Sequence, residues 1–313
     1  MSAEHVSKAS HHASPLRYPG GKGKLARYVK AIVRSGGLMD STYIEPFAGG
    51  AGVGLTLLLH GYVKRIVLND LSLPIYSFWR ALLDDPDKFK ARIESVPLTT
   101  EEWTRQREIF RNHEREDAFD VGFSAFFLNR TNVSGVLNGG MIGGYAQAGT
   151  HGISARFNRT ELALRVERIA RHSGRIDLRR DDAALLIGEL DIELRGEKRL
   201  FYLDPPYYRK GRDLYYDFYR DGDHRELRDR VAALDGRAHW IVSYDNEPEI
   251  RNLYAGYQCV EYDLSYSVKN GRIGREVMFF SANLTPPALS EGGLSLAPAP
   301  AGLYAPHPEL TGI

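Results

Sequence analysis

The residues whose types and spacing could do chemistry most directly are Asp204-Pro205-Pro206-Tyr207, preceded by the run Leu200-Phe201-Tyr202-Leu203. A short, continuous apolar and aromatic run of this kind reads as a buried strand of a parallel sheet. Proline cannot donate to a sheet ladder, so Pro205 and Pro206 end the strand. Asp204 is therefore expected at the carboxyl end, where open α/β sheets place their ligands. The prolines also stiffen the chain beyond the strand, holding the Pro205 carbonyl and the Tyr207 ring nearly fixed. A carboxylate, a rigid carbonyl and an aromatic face form a slot for a planar ring bearing an amino group. On this segment alone, a Pro-Pro turn with a solvated aspartate is an equal alternative, because short motifs misfire.

Other segments tilt the balance. Thr42-Tyr43-Ile44-Glu45 runs through Pro46 and Phe47 into Gly49-Gly50-Ala51-Gly52 and then the apolar stretch from Leu55 to Leu59. This is a strand, a glycine-rich turn and a helix: the first βα unit of a nucleotide-binding sheet. Leu55 stands where the third glycine of the dinucleotide fingerprint belongs. Arg65-Ile66-Val67-Leu68-Asn69-Asp70 gives a second strand ending in an acid, eighteen residues past Gly52. That is close to the position whose carboxylate takes ribose hydroxyls in such folds. The pair reads as an adenosine site without a pyrophosphate. Upstream, Tyr18-Pro19-Gly20-Gly21-Lys22 lets the backbone approach a ligand and sets a cation at a helix start. It is not a P-loop, which would need glycine at Leu16 or Tyr18 and Ser or Thr at Leu25.

Composition bounds the class. The chain has 313 residues, 43% of them hydrophobic and 26% charged, with a net charge of +1, so any basic surface must be local. No apolar run reaches a membrane span and the polar start is no signal peptide. The single cysteine, Cys259, excludes an internal disulfide framework and fits a reducing cytoplasm, where the chain is expected. Cysteine-based zinc sites are excluded and no HExxH pairing occurs, so no protein-bound metal is expected.

Between the two halves of the sheet, residues 72–115 read as helical and charged. A helix from Glu116 carries Phe119, Phe123, Phe126 and Phe127 at core spacing. Ser134 to Gly152 then holds seven glycines and should form loops or a hairpin. Arg156 to Arg180 sets eight arginines against three acids, a candidate for phosphate contact or simply a solvated face. Further strands are expected at Arg175–Leu178, with Asp182 beyond its end, at His239–Tyr244 and at Glu276–Ser281. The chain is expected to divide into a polar, disordered N-terminus (1–14), a catalytic sheet domain (15–83 and 174–284), a target-recognition insert (84–173) and a Pro/Ala/Gly-rich flexible tail (285–313).

Taken together, the GGK loop, the glycine-rich βα turn, the acid after the second strand, the polar insert and DPPY resemble the Dam-like adenine-N6 DNA methyltransferases. The resemblance spans Leu16 to Asn283. It is closer to a branch carrying LNRTNxSGxLNGG, here Leu128–Gly140, and a DPPYYxKGxxLY segment, here Asp204–Tyr215. It implies an α/β, Rossmann-like methyltransferase sheet with helices on both faces and a smaller helical and loop insert. It implies S-adenosylmethionine as methyl donor, contacted by Tyr18, Lys22, Glu45, Phe47, Gly49, Asp70, Asp182 and Asp204. Double-stranded DNA is the implied partner of a monomer, its flipped adenine meeting Asp204, Pro205 and Tyr207. Members that read GATC carry Tyr-Asn-Gly and a downstream Arg in the insert. Here those positions hold Val133-Ser134-Gly135 and Asn138, so GATC is not expected. Arg130, Asn132 and Asn138 are the base-reading candidates, and Arg156, Arg165 and Arg168 the other DNA-contacting ones. Another acceptor, such as an RNA adenine or a cytosine N4, and a non-catalytic DNA-binding module are the competing readings.

Overall fold

The structure is a computed structural model that describes residues 13–17, 22–208, 219–265 and 273–295. Its frame is one seven-stranded sheet in the order β3-β2-β1-β4-β5-β7-β6. The strands are β1 (Ser41–Glu45), β2 (Val63–Asn69), β3 (Ile176–Arg179), β4 (Arg199–Leu203), β5 (His239–Asp245), β6 (Gln258–Ser265) and β7 (Ile273–Phe280). The first five pair in parallel, and β7 inserts antiparallel between β5 and β6. This is the α/β sheet that the sequence implied.

Side chains that alternate along each strand divide into two cores. Tyr43, Ile66, Leu68, Leu200, Tyr202, Ile241 and Met278 face one side. Ile44, Val67, Phe201, Leu203, Trp240, Val242, Val277 and Phe279 face the other. A strand buried on both faces must be apolar at every position, which is why β4 reads as an unbroken apolar run. The first side is covered by α1 (Lys22–Ser35), α2 (Gly52–Leu59) and α3 (Leu73–Asp84). The second is covered by α8 (Ala183–Glu193), α9 (Asp221–Ala232) and α10 (Pro248–Leu253).

The insert is built from α4 (Pro86–Ser95), α5 (Thr100–Arg111), α6 (Ala118–Thr131) and α7 (Arg159–Ala170). It shares the first core rather than forming its own: Phe78, Phe89, Phe123, Phe126 and Phe157 make one aromatic cluster. The helical Phe set is thus core. Gly122 lets α6 approach α3 so closely that a Cβ there would lie 2.3 Å from the Ser77 carbonyl oxygen.

One expectation fails. The tail was to begin at 285, yet residues 285–295 pack on α1. Tyr28 donates to the Pro287 carbonyl at 2.8 Å, Leu294 is buried, and Gly292 sits against Tyr28 where a Cβ would clash at 2.5 Å. The Pro, Ala and Gly content of the segment masked two leucines spaced to dock.

Candidate active site at the carboxyl edge of the sheet

The carboxyl ends of β1, β2, β3 and β4 converge on one edge. After β1 the chain turns through Gly49 at φ 47° and Ala51 at φ 48°, the latter capping α2 in the left-handed region. Such a conformation costs a non-glycine residue about 1–2 kcal/mol and persists only where the surroundings impose it. The surroundings are visible. Asp70 accepts from the Gly49 N–H at 2.8 Å and the Ser72 N–H at 3.0 Å, and Trp79 Nε1 donates to the Gly49 carbonyl at 2.9 Å. Asn69 donates to the carbonyls of Pro46 and Asp181 and accepts from the Asp181 N–H, stitching the tips of β1, β2 and β3 together. Glu45, 4% exposed, accepts from the Tyr43 hydroxyl at 2.9 Å and the Gly54 N–H at 3.1 Å. Gly54 is tightly packed: a Cβ there would lie 3.1 Å from the Tyr43 ring.

Asp182 is exposed and caps α8, accepting from the N–H groups of Ala184 and Leu185. Tyr219 bridges this side of the site: its ring meets Phe47 edge-on at 5.6 Å. Burial raises its pKa, and the Asp182 carboxylate adds to the rise.

The turn after β4 is held at three points. Ser243 Oγ donates to Asp204 Oδ1 at 3.1 Å and lies 3.2 Å from the Tyr202 hydroxyl. A serine hydroxyl has one proton, so Ser243 can donate to Asp204 while accepting from Tyr202. Asp245 accepts from the Tyr208 N–H at 3.0 Å. Glu276, 3% exposed, accepts from the Tyr207 hydroxyl at 2.9 Å and the Tyr262 hydroxyl at 2.8 Å. Burial raises the pKa of Tyr202 and of Tyr262, and nearby carboxylates add to the rise, keeping both as protonated donors. Ser243, Asp245 and Glu276 were missed by sequence reasoning. They lie 37 to 69 residues beyond their partners, on strands that read only as apolar.

The base-reading candidates of the insert sit differently from expectation. Asn132 is fully buried: Oδ1 accepts from Trp103 Nε1 at 2.7 Å and Nδ2 donates to the Val136 and Leu137 carbonyls. It holds the glycine-rich loop and presents no edge to a base. Arg130 is likewise spent on the Arg156 and Pro15 carbonyls. Burial, then Arg165, Arg17 and Arg156, push its pKa down to about 9. Arg165 pairs with Glu161 and donates to the Ser14 carbonyl, with 11% of its side chain exposed. Asn138, Arg156 and Arg168 are exposed. Tyr18 and the Lys22 side chain lie outside the described residues.

The sequence profile of the D12 class N6 adenine-specific DNA methyltransferases matches residues 18–268. The chain belongs to this family. It is a site-specific DNA methyltransferase acting on adenine. A curated relative, the Type II methyltransferase M.CviBI of Paramecium bursaria Chlorella virus NC1A, is 25% identical over 246 residues, covering 76% of this chain and 86% of that protein. Among solved structures, a putative RNA methyltransferase from Pyrococcus horikoshii aligns at 10% identity and TM-score 0.38, covering 83% of each chain. The rRNA methyltransferase aviRa from Streptomyces viridochromogenes aligns at 15% identity and TM-score 0.37, covering 86% of this chain and 87% of that one. No helix among the described residues is long and apolar enough to cross a membrane, and no cluster of three metal-ligating side chains occurs among them.

Proposed function

We propose that this methyltransferase moves the methyl group of S-adenosylmethionine to N6 of an adenine flipped out of duplex DNA, with Asp204, Pro205 and Tyr207 holding the base. The observation that carries the reading is that Ser243 aims the Asp204 carboxylate while Glu276 fixes the Tyr207 hydroxyl. The donor set of the neighbouring turn fits the cofactor. Asp70 is fixed at the turn by the N–H groups of Gly49 and Ser72, which holds its carboxylate beside the open glycine turn. A Cβ on Gly52 would meet nothing within 4 Å, leaving the turn open to a ligand. Phe47, Tyr219 and Asp182 line the side suited to adenine. When bound, the cofactor supplies an electrophilic methyl on a sulfonium, whose charge suits an edge rich in carboxylates.

The residues of the chain do the rest. An adenine amino nitrogen is a poor nucleophile because its lone pair conjugates with the ring. The Asp204 carboxylate and the Pro205 carbonyl accept its two N–H donors and favour a pyramidal nitrogen. The Tyr207 ring offers a stacking face that compensates for lost stacking in the duplex. Positioning and preorganised electrostatics suffice, and no covalent enzyme intermediate is required. Residues 84–173 act as the target-recognition insert. The chain works as a monomer, in the manner of the methylating partner of a restriction system.

DNA from cells expressing the protein, read by methylation-sensitive sequencing, tests this. N6-methyladenine at one defined sequence is expected, absent when Asp204→Asn is expressed. Methylation confined to RNA, or to cytosine N4, would overturn it.

A further inference from the structure

Helix α1 contains five cations, Lys22, Lys24, Arg27, Lys30 and Arg34, and no acid. Arg27, Lys30 and Arg34 recur at three- and four-residue spacing and share a face, an arrangement of like charges that weakens a helix. Two further basic groups join them. His60, just after α2, is in hydrogen-bond contact with Lys30 through Nδ1. Arg168 of α7 stands near enough to add to the fall in the His60 pKa, behind burial and Lys30. The Lys30 pKa is lowered by burial, then by Arg34 and Arg27. The Tyr62 ring lies 5.1 Å from Lys30 Nζ and 5.0 Å from the Arg34 guanidinium carbon.

Several cations thus meet on one surface. Arg165, Arg171 and Arg179 each pair with a carboxylate. Among the described residues, no ion pair joins Arg27, Lys30, Arg34, His60 or Arg168 to an acid. In a chain whose net charge is +1, that is a concentrated local field. It stands at the amino edge of the sheet, where His60 and Tyr62 precede β2 (Val63–Asn69). β2 is seven residues long, so the catalytic edge lies about 20 Å away.

We propose that Lys30, Arg34, His60 and Arg168 form a second binding surface for the sugar-phosphate backbone of DNA, separate from the slot that holds the target adenine. The inference rests on duplex DNA being the substrate. Apposed cations without ion-pair partners suit a row of phosphates, and the Tyr62 ring packs against both Lys30 and Arg34. The surface engages duplex about six base pairs or more from the target, taking 3.4 Å per base pair. Contacts of this kind carry no sequence information. They hold the enzyme on DNA while it searches.

Fluorescence anisotropy with two duplexes bearing the cellular target sequence tests the inference, one ending about four base pairs beyond the adenine and one about fifteen. The variant Lys30→Gln/Arg34→Gln should bind the long duplex about tenfold or more weakly, its salt slope falling by about 2, one unit per lost phosphate contact. Binding to the short duplex, and the single-turnover rate on it, should match those of the unaltered protein. The charge-retaining Lys30→Arg/Arg34→Lys should restore long-duplex binding. An unchanged long-duplex slope, or equal losses on both lengths, would overturn the inference and leave the duplex reading standing. Failure of the unaltered protein to bind either duplex would overturn both.

Discussion

At the scale of single residues, the chemistry of Asp204 depends on groups far away in the chain. A hydrogen bond to a charged group contributes about 1.5–3 kcal/mol. Ser243→Ala, which removes the donor to Asp204 Oδ1, should therefore lower kcat roughly 10- to 150-fold, with S-adenosylmethionine affinity unchanged. Rapid-quench kinetics and calorimetry on the same preparation check this. A normal kcat would mean that Asp204 needs no such support. Asp70→Ala should weaken cofactor binding more than DNA binding, because its carboxylate holds the glycine turn through the Gly49 N–H. Equal losses in the two affinities, measured by titration, would show the acid to be misassigned.

These residues also mark what could be read from sequence. Asp70 and Asp204 were legible because each sits at the end of an apolar strand, beside the glycines or prolines that expose it. Ser243 and Glu276 were not, since pairing of β4 with β5, and of β5 with β7, brings them to the turn. Arg130 and Asn132 misled for the reverse reason. Their side chains can read bases, but Asn132 satisfies the Val136 and Leu137 carbonyls of the glycine-rich loop and Arg130 binds the Arg156 and Pro15 carbonyls.

At the scale of elements, two contacts decide how the insert and the C-terminal segment attach. Gly122→Ala should destabilise the protein by about 1–3 kcal/mol despite alanine's better helix propensity, because the new methyl meets α3 backbone. Calorimetric melting with unchanged or raised Tm would contradict the packing of α6 on α3. Truncation after Leu284 removes Leu289 and Leu294 from the core and strips the Tyr28 hydroxyl of its carbonyl partner. The expected loss is about 3 kcal/mol, or roughly 5–10 °C in Tm. A truncated chain that melts with the full one would show the contact to be idle. Composition hid this docking, since prolines and alanines surround the two leucines that do it.

At the scale of the whole molecule, one sheet sorts the functions. Its carboxyl edge collects carboxylates, aromatic rings and glycine turns from β1 through β4, and its amino edge carries cations from α1, α7 and His60. The insert joins the first core directly, and Asn129 on α6 holds both the N–H and the carbonyl of Arg17. The fold class was legible from strand and glycine punctuation. The order in which β7 inserts beside β5 was not, because β6, with Glu261 and Asp263 among its residues, did not read as a strand.

The central claim is that Asp204 holds the adenine amino group for methyl transfer. Its most direct test is a single-turnover assay of purified protein with methyl-labelled S-adenosylmethionine and duplex DNA bearing the target, comparing the unaltered chain with Asp204→Asn. An amide is a weaker acceptor and turns a donor toward a donor, so the rate should fall at least about a hundredfold. Label should appear only in N6-methyladenine, with cofactor affinity and melting temperature preserved. A variant that transfers methyl groups at a near-normal rate would contradict the account.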